Sequence, residues 1–220
     1  MAIFKPFRFI HKQEIEAKAT DILRRIEQKT QNEDCMWPLD ATCVAEFLGL
    51  DVVWDTIPDD EQGTIAARIL PLERLIEINE DLPICRGGFG ESTIAHEIGH
   101  WVLHVDRAAV NRFSRLRNRG VHIKVDPLLC RNDNTVAGIE WQAQYFASCL
   151  LMPEYVLLEQ QIGKDLTKWP DLYQIAAELG VSISNLVHRL KDLDWIYLDR
   201  DSRQIYPSKG FVADRIVAAG

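Results

Sequence analysis

The chain has 220 residues, 47% of them hydrophobic and 26% charged, with a formal net charge of −8. That length can bury a core without disulfide staples, and the composition is that of a globular chain rather than a disordered or fibrous one. The acidic balance argues against a nucleic-acid coat or an acidic-membrane binder.

The start, Met1–Phe7, lacks the apolar run and small-residue cleavage site of a secretory leader. No stretch approaches the roughly 20 apolar residues that a membrane span needs. Five cysteines (Cys35, Cys43, Cys85, Cys130 and Cys149) include no Cys-x-x-Cys pair. Free thiols in a reducing, cytoplasmic setting are therefore expected.

Residues 11–29 repeat Ile15, Ala19, Ile22, Leu23 and Ile26 at helical spacing. Trp37-Pro38 marks a break, Asp40 is placed to cap a helix over 41–48, and Gly49 is placed to stop it. Three strands are predicted, over 50–54, 64–70 and 74–79, with an acidic turn at 58–63 and Pro71 between the last two. After the glycine-rich lead-in 86–90, a helix is expected from Ser92 or Thr93 through His104. Residues 105–137 are mixed and rich in arginine, and read as loop. A mostly apolar helix follows over 138–152, and Pro153 ends it or opens the next element.

His96 and His100 stand four residues apart, which on a helix puts both imidazoles on one face within reach of a single ion. Zinc accepts imidazole nitrogen and lowers the pKa of a bound water toward about 7. Glu97, next to His96, is placed to take a proton from that water. Ile94, Ala95, Ile98, Trp101, Val102 and Leu103 make the remaining faces apolar, so the helix is expected to be buried. A hydrogen-bonded core cluster is the alternative for these polar groups.

A catalytic zinc needs a third protein ligand. Glu140 is the candidate, because it is the one acid in a helix otherwise apolar or neutral. Ala143 and Ala147 share its side and would let the two helices approach closely. Asp106, Asp126 and His122 are weaker alternatives. His104 lies about two turns past His96, where the helical face has drifted, so it is read as supporting a ligand or packing. His122, Tyr145 and the arginines of the loop after this helix are candidates to stabilise the oxyanion, and the sequence does not choose among them. A Cys85 thiolate over the metal is a remote option, and His11 and His188 carry no ligand pattern.

The run Thr93–His104 resembles the core of the ImmA/IrrE metallopeptidases. Glu140-x-x-Ala143-x-x-Phe146-Ala147-x-x-Leu150-Leu151-Met152-Pro153 is similar to that family's second signature, and Ile76–Asn79 is like its strand before the active-site helix. The resemblance covers roughly residues 15–198. It implies a gluzincin-like zinc site with His96, His100 and Glu140 as ligands and Glu97 as catalytic acid/base. It also implies a protein substrate, a helix-turn-helix transcriptional repressor, which characterised relatives cleave. Gln144 stands where relatives usually carry Asn, and 87–91 departs from their more basic lead-in. The strand 76–79 is expected to align a substrate by edge pairing.

The expected fold is α+β: a zincin-like core over residues 1–165, with a small mixed sheet packed on the active-site helices. A helix-turn-helix or winged-helix-like module follows over 166–220. Its second helix offers Ser182, Ser184, Asn185, His188, Arg189 and Lys191 to DNA. Yet residues 166–220 hold seven Lys/Arg and seven Asp/Glu. Specific DNA binding rests on net positive phosphate contacts, so partner docking or packing is favoured over DNA. A DNA-binding or antitoxin-like regulator with a zinc site but no proteolytic turnover is the second function class. Glu97 argues against it, since a purely structural site has no use for that carboxylate.

Overall fold

A computed structural model of the chain describes residues 3–29, 37–61, 63–82, 88–131, 137–199 and 201–208. Helix α1 (Lys12–Lys29) buries Ile15, Ala19, Ile22 and Leu23, the stripe expected from their spacing. Asp40 caps α2 (Ala41–Phe47), its carboxylate accepting from the backbone N–H of Thr42 at 2.8 Å and of Cys43 at 3.2 Å. Gly49 ends it with φ +74°, a conformation that costs glycine nothing sterically.

Strands β1 (Asp51–Asp55), β2 (Ile65–Leu70) and β3 (Leu75–Asn79) fall where their alternation places them, and β4 (Leu128–Arg131) joins them from the mixed stretch. They form a mixed sheet in the order β1-β3-β2-β4, with β1 parallel to β3 and the other pairs antiparallel. Arg68 of β2 faces Glu77 of β3 in register and pairs with it. Asn79 ends β3 buried. Its amide donates to the carbonyls of Ile57 at 3.1 Å and Ile65 at 2.9 Å, which secures the loop between β1 and β2.

This order corrects one expectation. β3 has a neighbour on each side, so Ile76–Asn79 has no free edge for a substrate strand, and among the described residues the outer strands are β1 and β4. Alternation along a strand reads the same in an inner and an edge position, because strand order is a non-local property.

Helix α3 (Gly88–Leu103) begins ahead of Ser92 and Thr93, the expected caps. The Glu91 carboxylate accepts the Ala41 N–H at 2.7 Å and so ties the first turn of α3 to α2. The expected loop after α3 is largely helix: α4 (Arg107–Arg117) is capped by Asp106 and buries Ala109, Val110 and Phe113. Its arginines had hidden a narrow apolar stripe. Helix α5 (Ala137–Leu151) packs along α3, and Pro153 stands at the N-cap of α6 (Glu154–Gln160).

Helices α7 (Trp169–Glu178) and α8 (Ile183–Asp192) follow, then a hairpin of β5 (Ile196–Leu198) and β6 (Ile205–Pro207). The sheet lies against α3 and α1 lies against α5. One core of buried side chains runs from Ile15 and Leu23 through Ile98 and Phe146 to Leu172, Leu186 and Leu190. The result is a mixed α+β core, and no helix among the described residues is long and apolar enough to cross a membrane. Cys43 and Cys149 are free thiols, while Cys35 and Cys85 lie outside the described residues.

Candidate metal centre

Close approach of α3 and α5 builds the site. A Cβ on Gly99 would stand 2.9 Å from the Ala143 carbonyl oxygen and 3.1 Å from its Cα, so the crossing admits only glycine there without movement. Ala143 and Ala147 are both buried on the facing side of α5. Leu or Phe in their place would hold the helices apart. Ile94, Ala95, Ile98, Trp101 and Leu103 are buried as expected, and they fix the roll of α3 that turns its histidines toward α5.

Three donor groups converge in the gap. His96 Nε2 lies 3.0 Å from Glu140 Oε2 and 2.9 Å from His100 Nε2, and His100 Nε2 lies 3.4 Å from Glu140 Oε1. Their ligand atoms all fall within 4.8 Å of one another. Tetrahedral zinc with bonds near 2.0–2.1 Å holds its ligand atoms about 3.3 Å apart, so the spacing suits such an ion. The chemistry suits it too, since two imidazole nitrogens and a carboxylate aimed at one point want a cation between them.

The electrostatics are those of donors crowded together. Burial works against the charged form of Glu140, but the His100 and His96 imidazoles set against it outweigh burial and hold the carboxyl well below the usual range. Burial also opposes the imidazolium of His96, yet its hydrogen bond to Glu140, with the charges of Glu97 and Glu140, raises its pKa. His100 goes the other way: burial depresses it to about 4 despite Glu140, with His96 and His104 adding to the fall. Glu97 is fully buried beside His96.

His104 sits just past the end of α3, its ring centroid 5.1 Å from that of His100. His104 Nδ1 is 3.1 Å from His100 Nδ1, and its Nε2 is 3.0 Å from Gln142 Oε1. It therefore touches a proposed ligand and stands apart from the three converging donors. Tyr145 turns its hydroxyl toward Arg189 of α8, at 3.4 Å, and its ring stacks on Trp141. His122 is exposed in the irregular segment between α4 and β4, as is Asp126, while Asp106 is spent on capping α4. A groove of about 450 Å³ between α5 and α8 is lined by Trp141, Gln144, Ser148, Ser184, Asn185 and His188. Gln144 also helps to raise the His96 pKa, so groove and donor cluster share that residue.

Sequence reasoning passed over Gln142 as part of the site. The available signal was a second polar side chain, two residues from Glu140, in a helix otherwise fit for burial. It also passed over the N-terminal strap, whose Arg8 carbonyl accepts from Gln142 Nε2 at 2.9 Å. No local pattern announces such a contact.

The model of the IrrE N-terminal-like domain family, Peptidase_M78, matches residues 57–191, which include every member of the donor cluster. No curated protein gives a significant match. Among solved structures, a Mycobacterium tuberculosis transcriptional regulator is similar at 18% identity and a TM-score of 0.45 over 89% of this chain. The chain spans about half of that regulator, 55% of its length.

Proposed function

This chain belongs to the Peptidase_M78 family of IrrE N-terminal-like domains, and from that premise we propose that it is a zinc-dependent endopeptidase acting on a regulatory protein. The observation that carries the proposal is the convergence of His96 Nε2, His100 Nε2 and the Glu140 carboxylate with Glu97 alongside. A zinc ion held there supplies a Lewis acid for the scissile carbonyl and a water of lowered pKa. His96, His100 and Glu140 would hold it, two from α3 and one from α5, as in a zincin-like core.

Glu97 is the general base. Its carboxylate takes a proton as the water oxygen bonds to the carbonyl carbon, and returns it to the amide nitrogen as the C–N bond breaks. Tyr145 remains a candidate to act near the substrate, since its ring borders the groove. The family resemblance makes a helix-turn-helix transcriptional repressor the proposed substrate.

Elemental analysis of protein purified without added metal is expected to find about one zinc per chain. His96→Ala should lose it. Glu97→Gln should keep it and cleave a co-expressed helix-turn-helix repressor substrate at least 100-fold more slowly. Cleavage by Glu97→Gln at the wild-type rate would remove Glu97 from the reaction.

The reading of the C-terminal helices as a DNA reader gains little support. Of the side chains offered to DNA, Arg189 is fully buried and Asn185 donates to Ser92 Oγ at 3.2 Å. We assign α7 and α8 a packing and partner-docking role. Steeply salt-dependent binding of duplex DNA by the full chain would reverse that assignment.

A further inference from the structure

Behind the donor cluster lies a chain of polar contacts that ends on the N-terminal strap. Its direction follows from which groups can only accept. The Arg8 carbonyl accepts, so the Gln142 amide nitrogen, 2.9 Å away, donates to it. Gln142 Oε1 therefore faces His104 Nε2 at 3.0 Å and accepts from it. With its one N–H on Nε2, neutral His104 presents a bare Nδ1 to His100 Nδ1 at 3.1 Å. His100 must then carry its proton on Nδ1, which leaves Nε2 bare and aimed at His96 and Glu140.

The anchor of this chain is itself held. Lys5 N–H donates to the His104 carbonyl at 2.8 Å, and Asp106 N–H donates to the Ile3 carbonyl at 2.8 Å. The strap is thus paired to the segment just beyond α3, at His104 and Asp106 on either side of Val105. Gln142 and His100 are each 1% exposed and His104 is 8% exposed. With so little water to offer a substitute partner, each proton position depends on the next.

We propose that His104 and Gln142 are positioning residues that lock His100 as its Nδ1–H tautomer, so that its Nε2 lone pair is presented to the metal. The inference rests on the metal centre proposed above. An imidazole free to choose would place its proton on Nε2 in part of the population, and that nitrogen would then donate toward the site instead of ligating. Orientation of a ligand imidazole through its far nitrogen typically changes metal affinity by about 10–100-fold.

The test has two readouts, neither of them activity. In metal-free wild-type protein near pH 7.5, nitrogen-15 NMR of the imidazoles is expected to show His100 protonated at Nδ1 and bare at Nε2. Protonation at Nε2 would overturn the inference. Zinc alone is then titrated against a competing chelator. Gln142→Met, which reaches His100 only through His104, should weaken zinc binding about 10-fold or more and mix the His100 tautomers. His104→Phe should do the same, with thermal unfolding of both variants reporting that the fold persists. Wild-type affinity in a folded Gln142→Met would overturn the inference. Zinc-free wild-type protein that takes up no zinc would instead sink the proposed function, while the NMR still decides the tautomer.

Discussion

His96 and His100 are the same side chain four residues apart, yet their protons behave oppositely. Burial disfavours the charge on both, but His96 has the stronger carboxylate company and titrates above its ordinary value, while His100 falls to about 4. At pH 6.5 metal-free His96 is therefore mostly protonated and His100 is neutral. Zinc must displace the His96 proton, so zinc affinity should rise with pH until the raised His96 pKa is passed and then level off. Calorimetry of zinc binding at pH 6.5, in two buffers of different ionisation enthalpy, should report release of more than half a proton by His96. No proton release would mean that Glu140 does not hold His96 charged. At this scale the sequence was legible where the chemistry is local. The pair His96 and His100, with Glu97 beside it, needs only helical periodicity to be seen. Glu140 was legible as an acid out of place in an apolar helix. Gln142 gave a weaker signal, because a neutral amide is less costly to bury than a carboxylate and its role shows only once its partners are known.

The elements that make the site are α3 and α5, and their contact turns on Gly99. Alanine there would gain about 1 kcal/mol in helix propensity. Against this, its Cβ would meet backbone at 2.9 Å, where no side chain can swing aside. Overpacking of that kind costs about 1–3 kcal/mol, so the net effect of Gly99→Ala should be destabilising. Because the proposed ligands come from both helices, zinc affinity should fall as well. Denaturant unfolding of the zinc-free variant checks the first expectation and zinc titration the second. Unchanged stability together with unchanged affinity would show that the two helices can part at no cost. Most elements were readable because stripe and alternation are local patterns. The start of α3 and the whole of α4 were not. Glycines at 88 and 90 and arginines along 107–117 mask helices that tertiary packing and the Asp106 cap sustain.

Across the whole molecule, Arg189 joins the C-terminal helices to the rest. It is fully buried, donates to the Met152 carbonyl at 3.0 Å and pairs with Glu16 of α1. Lys12 adds a 2.7 Å ion pair to Asp192 at the rim. Removing one partner of a buried pair typically costs about 3–5 kcal/mol, and the exposed rim pair contributes far less. Glu16 keeps 25% side-chain exposure, which moderates the loss, so Arg189→Leu should destabilise the full chain by about 3 kcal/mol. Lys12→Ala should cost under about 1 kcal/mol. Equal effects of the two substitutions would mean that Arg189 is not the joint. By itself the sequence determined most of the helices and strands and the local half of the candidate metal site, because each depends on residues a few positions apart. Only the tertiary structure decided that β3 lies inside the sheet, that Glu140 meets the two histidines, that Arg8 anchors His104 through Gln142, and that Arg189 points inward. Those facts depend on contacts between distant segments, where packing and strand order choose among partners that the local pattern leaves equivalent.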